Sequence, residues 1–367
     1  MDVERSEGPR DEDRLRDGDQ LGFDIERDLL CTADAGGYFL SLNAAWERAL
    51  GWSRDELMRR PMIEFVHPDD VQRTTEEASK VVRPDYHIVN FENRYRTKGG
   101  GWRWLRWSAR SDGETWFAVA FDVTEQREAR ARLRGALSED RLVAYSQPIL
   151  DQRLERVIQE ELLARLRGED GGGRIIEADE FLPEAERCGL IGVVDRWMAM
   201  EAVALARRGR PAEVNLSART IEDEELTRAL ADELHSAGRS ARSVVFEITE
   251  TAAIDNLDAA REFAERLSKL GCRFALDDFG TGFGSLTYLR HLPLEFLKID
   301  TSFVRNLTRS EADQALVRGV VAIARELGLH TVAEGVEDAA TLRMLREFGV
   351  DHVQGYLFGL PRPLAPA

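Results

Sequence analysis

From Glu139 onward the chain passes through eight short apolar runs: LVAYSQPIL (142–150), VIQEELLARL (157–166), AEVNLS (212–217), VVFEIT (244–249), RFALDD (273–278), FLKID (296–300), HTVAEGV (330–336) and HVQGYLFG (352–359). Most are followed by amphipathic stretches such as Asp258–Leu270 and Glu311–Leu327. Few architectures cover both faces of a sheet built from such units, so the pattern predicts an α/β fold. About 220 residues suit a (β/α)8 barrel of the TIM type, with an open doubly wound sheet as the competitor.

The polar residues of these runs narrow the reading. FALDDFGTGFGSL (274–286) ends a buried strand on two adjacent acids, Asp277 and Asp278, and passes into a glycine-rich loop. Alone, that is also what a solvated turn looks like. The other runs carry Gln147, Glu161, Asn215, Glu247, Lys298, Glu334 and Gln354. In a fold whose strand ends converge, a whole series of such groups describes a site. Glu161, Glu247, Asp277, Asp278 and Glu334 cannot share a pocket as bare anions without raised pKa values or compensating cations, and Lys298 is the one base in the set. Bound divalent metal resolves the conflict. All-oxygen ligation suits Mg²⁺ or Mn²⁺, and without a histidine cluster zinc is disfavoured. Two such ions roughly 3.5–4 Å apart can activate water against a phosphodiester. Gly280, Gly282 and Gly284 have neither GxGxxG spacing nor a P-loop lysine.

The amino-terminal part is different. Residues 1–20 alternate charges without apolar anchors, the signature of a disordered lead-in. Residues 21–123 hold six of the seven tryptophans and form a separate domain. Here Ser53 and Glu56 have capping-box spacing, and His67-Pro68-Asp69-Asp70 opens a helical turn, with His67 read as a structural cap rather than a haem ligand. Runs 91–97 and 102–108 flank Lys98–Gly101 as a hairpin. Together LLCTADAGGYFLSLNAAWERALGW, EFVHPDD, FENRYRTKGGGWRWLRW and FDVTE resemble a PAS sensor domain. The resemblance implies an α+β fold, a curved antiparallel sheet with short helices, used for ligand sensing or dimerisation; it names no ligand. Cys31 does not match the cysteine motif of flavin photosensors. Residues 124–138 favour a helix, with Ala129, Leu133, Ala136 and Leu137 on one face, and read as a connector to a domain spanning 139–367.

A formal charge of −17 excludes a general duplex-DNA binder, so an anionic substrate must be met by local cations. Cys31, Cys188 and Cys272 give neither metal-ligand spacing nor an even disulfide count, which points to a reducing cytoplasm. No run of about eighteen apolar residues or secretory leader is present, so no membrane span is expected.

The motifs SQPI, EELLARLR, FLPEAERCGLI, VNLSAR, FEITET, ALDDFGTGFGSL, LKIDTSFV, VAEGVE and QGYLFG resemble, in order and spacing, those of the EAL family of cyclic di-GMP phosphodiesterases, from about Leu142 to Pro363. The resemblance implies a modified TIM barrel that hydrolyses cyclic di-GMP to linear pGpG with two Mg²⁺ or Mn²⁺ ions, usually as a homodimer. It implies Glu161, Asn215, Glu247, Asp277, Asp278 and Glu334 as metal ligands, and Lys298 as the group that orients or deprotonates water. Gln147, Arg165 and Gln354 match substrate-holding positions, and Glu250 a position that steadies the DFGTG loop. The signature tripeptide reads Glu161-Leu162-Leu163, and Phe283-Gly284 replace a usual Tyr-Ser. Two readings follow: a phosphodiesterase regulated by the PAS domain, or a cyclic di-GMP receptor that signals through a protein partner.

Overall fold

The computed structural model describes residues 28–81, 87–153, 156–168, 173–280 and 286–364. The charged lead-in 1–20 and the Phe283-Gly284 substitution lie outside the described residues. The chain divides into two compact units, residues 1–128 and 129–367.

In the first unit, β1 (Leu29–Asp34), β2 (Phe39–Leu42), β3 (Ile88–Arg96), β4 (Trp102–Ser111) and β5 (Thr115–Asp122) form one antiparallel sheet in the order β2-β1-β5-β4-β3. The expected hairpin is β3–β4, paired from Arg96↔Trp102 onward. Trp46, Tyr95 and Trp107 pack against one another at the centre. Buried indoles need acceptors: Trp46 Nε1 donates to the Leu30 carbonyl at 3.0 Å and Trp107 Nε1 to Asn93 Oδ1 at 2.8 Å. Trp46 and Trp107 therefore serve as core, with Trp52 and Trp116 packed against it, while Trp102 is exposed. The Ser53/Glu56 capping box forms on the helix Arg54–Met58. His67 caps the turn Pro68–Asp70 by accepting from the Asp69 N–H, the structural role its sequence context predicts.

The second unit contains β6 (Leu142–Asp151), β7 (Val157–Arg167), β8 (Ile175–Ile176), β9 (Ala212–Leu216), β10 (Val244–Thr249), β11 (Arg273–Phe279), β12 (Phe296–Ile299), β13 (His330–Ala333), β14 (His352–Val353) and β15 (Arg362–Pro363). The eight apolar runs are the eight strands of a closed barrel, β6-β14-β13-β12-β11-β10-β9-β7, with β6 also paired to β7; the short β8 and β15 extend from β7 and β6. Strict alternation is not observed. β6 and β7 are consecutive and antiparallel, β6 also runs against β14, and the other adjacent pairs around the barrel are parallel. A hairpin-linked first pair needs no crossover helix, which is why no helical pattern separates 150 from 157. Helices such as Ile191–Arg207, Leu257–Ser268 and Glu311–Leu327 bury apolar faces in the core around the barrel. Inside the barrel, Ile149, Val245, Ala275, Phe296 and Val332 form a separate apolar cluster.

Helix Thr124–Ser138 forms as its sequence predicts. The Thr124 Oγ1 accepts from the Trp104 N–H at 2.8 Å, while Leu133 and Ala136 belong to the buried core of the second unit.

Candidate active site

A strand points every second side chain to the same face. On β12 this places Phe296 and then Lys298 inside the barrel, and on β10 Val245 and then Glu247. Lys298 and Glu247 are wholly buried. The Lys298 ammonium is the hub of the site: Nζ lies 2.6 Å from Glu334 Oε1, 2.7 Å from Glu247 Oε2, 3.5 Å from Asp277 Oδ1, 3.8 Å from Glu161 Oε1 and 4.0 Å from Glu213 Oε1. Asn215 donates from Nδ2 to Glu161 Oε1 at 3.1 Å. Gln354 Nε2 donates to Glu161 and to Gln147 Oε1, and Gln147 Nε2 donates to the Gly359 carbonyl. Glutamates and glutamines from β6, β7 and the end of β14 thus share one network. Gly355 lets the chain pass closely there, since a Cβ on it would meet the Val336 backbone at 2.3 Å.

Asp277 and Asp278 fall where the β11–β12 register breaks between Leu276 and Phe279. Asp278 has φ +57°, a left-handed conformation that few residues other than glycine, asparagine and aspartate adopt readily. Glu250, at the start of helix Glu250–Asp255, accepts from the Gly280 N–H at 2.9 Å and from the Tyr288 hydroxyl at 2.8 Å. It therefore ties the beginning of the glycine-rich loop to the segment beyond it.

Burial pushes the carboxyls of Glu247, Glu213 and Glu334 up, that of Glu334 to about 8, against the pull of Lys298. Burial and the neighbouring Asp277 also raise Asp278. Burial alone would lower the Lys298 ammonium, but Asp277, Glu161, Glu247 and Glu334 hold its pKa well above the usual value. The site carries more acid than one cation can balance. Glu247 Oε1, Asp277 Oδ1 and Glu213 Oε1 are buried without a hydrogen-bond partner, and an orphaned buried acceptor is costly unless something donates to it or coordinates it. The donors are carboxylate and amide oxygens, the chemistry of Mg²⁺ and Mn²⁺. The residues present fit such ions, although among the described residues no three acid, histidine or cysteine groups are already disposed about a common metal position. The acids close on Lys298 instead.

Above the acids lies a cleft bordered by Gln147, Glu161, Leu163, Arg305, Glu334 and Tyr356. Arg165 is buried elsewhere, in an ion pair with Glu177 and with its Nη1 on the Ala164 carbonyl. Reading each apolar run for its polar end missed Glu213, which is wholly buried. The signal was available: Glu213 lies two residues before Asn215 on β9, as Gln159 lies two before Glu161 on β7, each one pleat deeper on the same face. Tyr288 carried no comparable signal, because its contact with Glu250 is made across 38 residues.

This is a TIM-type barrel with an acidic, oxygen-rich centre at the carboxyl ends of its parallel strands, the face on which such barrels do chemistry. The EAL domain family matches residues 130–361, and the chain belongs to that family. The PAS fold family matches residues 39–116. Among curated proteins, the cyclic di-GMP phosphodiesterase NbdA of Pseudomonas aeruginosa is 38% identical over 251 residues, covering 66% of this chain and 32% of that protein. The cyclic di-GMP phosphodiesterase PdeB of Shewanella oneidensis is 35% identical, covering 66% of this chain and 29% of its own. The chain thus spans about a third of the length of these relatives. Among solved structures, the PaMucR phosphodiesterase in complex with c-di-GMP aligns with a TM-score of 0.61 at 34% identity, covering 64% of this chain and 98% of that one. The FimX EAL domain from Pseudomonas aeruginosa bound to c-di-GMP aligns at 0.60 and 29% identity, covering 64% and 96%.

Proposed function

We propose that this chain is a cyclic di-GMP phosphodiesterase that forms linear pGpG at a two-metal site under control of its PAS domain. The observation that carries the reading is the ring of Glu161, Glu247, Asp277 and Glu334 about Lys298, in a barrel whose relatives are named as cyclic di-GMP phosphodiesterases or were solved with c-di-GMP bound. Glu161, Asn215, Glu247, Asp277, Asp278 and Glu334 would hold two Mg²⁺ or Mn²⁺ ions. Such ions, when bound, lower the pKa of water and offset the charge of the scissile phosphate.

The chain's own groups supply the rest. Lys298, held as an ammonium by the acids around it in the metal-free site, orients the attacking water by donating to its oxygen. It would take the water's proton only where bound metal ions, by occupying those acids, lower its pKa. Water adds to phosphorus, the P–O3′ bond breaks, and the leaving oxygen is protonated to a 3′-hydroxyl, giving a 5′-phosphate on the linear product. Gln147 and Gln354 position Glu161 and face the substrate. Arg165 is a substrate-side cation once released from Glu177. Glu250 steadies the loop that follows Asp278. We further propose that the protein acts in the cytoplasm as a homodimer and signals through a protein partner. Its three buried free cysteines suit a reducing compartment, and among the described residues no helix is long and apolar enough to cross a membrane.

The test is an assay for pGpG with purified protein and Mg²⁺ or Mn²⁺. Wild type should convert cyclic di-GMP, and Glu161→Ala should lower turnover at least about 100-fold, the scale of losing electrostatic stabilisation at a reacting centre. Tight binding of cyclic di-GMP without turnover by wild type would establish the receptor reading instead.

A further inference from the structure

We propose that Glu213 is a positioning residue for Lys298, holding the ammonium at the floor of the site once divalent cations occupy the surrounding acids. The inference rests on the two-metal reading above. Glu334, Glu247, Asp277 and Glu161, the four carboxylates nearest Lys298 Nζ, are all assigned to the metals. An oxygen lone pair given to a cation is no longer available to the ammonium, and the cation repels it. Loading the site therefore strips Lys298 of its nearest partners while its catalytic role still requires a fixed position.

Among the described residues, Glu213 is the one acid within 4.0 Å of Nζ that lies outside the metal set. It stands on β9 one pleat below Asn215 and is wholly buried. Its Oε1, the atom facing Nζ, has no hydrogen-bond partner, whereas its Oε2 accepts from Gln159 Nε2. Gln159 is itself 1% exposed. The carboxyl is thus clamped on one oxygen by Gln159, with the Glu247 carboxyl beside it, and turns its other oxygen toward Nζ. A shift of about 1 Å in the four-carbon lysine stem converts the 4.0 Å separation into a charge-assisted hydrogen bond. Supporting groups of this kind set the geometry of catalytic sites without touching substrate, and their loss typically costs about 10–100-fold.

The composition of the chain makes the idea directly observable. It has four lysines, Lys80, Lys98, Lys269 and Lys298; the first three are exposed and Lys298 is wholly buried. Full-length protein labelled with ¹³C at lysine Cε, with the exposed three replaced by arginine, reports on Lys298 alone by NMR. Mg²⁺ should move the wild-type signal. In Mg²⁺-saturated Glu213→Gln the signal should sit at a different position, kcat should fall about 10–100-fold with KM for cyclic di-GMP unchanged, and two Mn²⁺ ions should still bind. Gln159→Leu, which removes the clamp and leaves every assigned ligand in place, should displace the signal in the same direction and provides the test if Glu213→Gln does not fold. If Mg²⁺ leaves the wild-type signal in place, the two-metal reading falls and this role with it. If Mg²⁺ moves the wild-type signal but neither variant alters it, Glu213 alone is refuted. Loss of one Mn²⁺ from Glu213→Gln would overturn the assignment by making Glu213 a ligand.

Discussion

Burial of the acids around Lys298 makes the metal-free protein sensitive to pH in a definite direction. Glu334 is held up to about 8, and Glu213 and Glu247 are also raised. A carboxyl whose folded pKa exceeds its unfolded value, about 4.3 for glutamate, binds its proton more tightly in the folded state. The stability it contributes is fully present below the unfolded value and is lost as pH rises through the folded one. Thermal melts in EDTA should therefore show Tm falling between about pH 5 and pH 8, and saturating Mn²⁺, which binds the ionised acids, should reverse the slope. A flat Tm across that interval would mean that the acids are already balanced. At this scale the sequence was most informative where charge interrupts an apolar run. Glu161, Glu247, Lys298 and Glu334 were legible because each breaks such a run within a motif, and Asp277 because it stands where its run ends. Glu213 and Gln159 sit in the same runs two residues before Asn215 and Glu161, and only the two-residue period exposes them. The Arg165–Glu177 pair was illegible for a different reason: nothing local in the sequence specifies an ion pair between a strand and the residue preceding helix Ala178–Arg187.

Between elements, the Glu250–Tyr288 contact is the support most exposed to test. Tyr288→Phe removes a hydrogen bond to the Glu250 carboxylate worth about 1.5–3 kcal/mol. Turnover should fall roughly tenfold while Mn²⁺ binding is retained; an unchanged kcat would show that the tie does not serve the loop. Gly355→Ala places a methyl 2.3 Å from the Val336 backbone and should pull Gln354 away from Glu161. A stability loss of about 1–3 kcal/mol in urea melts is expected, together with a raised KM. The eight strands of the barrel were legible as eight apolar runs. The reversal of β6 was not readable from hydropathy, because an apolar strand buries the same faces whether it runs parallel or antiparallel; the short link to β7 was the available sign.

At the level of the whole chain, one helix, Thr124–Ser138, begins on hydrogen bonds of the sensor unit and ends with Leu133 and Ala136 in the core around the barrel. We propose that this helix carries the state of the PAS domain to dimerisation of the barrel. Removing residues 1–123 should change both oligomeric state, measured by light scattering, and the rate of pGpG formation. If neither changes, the connector has no such role. The PAS fold was legible from its hairpin and capping motifs, whereas its signal was not, since Trp46 and Trp107, the most buried of the tryptophans that mark the domain, are spent on its core.

The left-handed backbone at Asp278 bears on how this protein can evolve. Asparagine and glycine adopt that conformation readily, and each lies a single base change from an aspartate codon. β-Branched and bulky residues do not. The easiest inherited losses of this carboxylate are therefore ones that keep the backbone of the loop intact. On the proposed two-metal reading, descent from a cyclic di-GMP hydrolase to a folded cyclic di-GMP receptor would be a one-step path, open at a position where disabling the chemistry need not disable the protein.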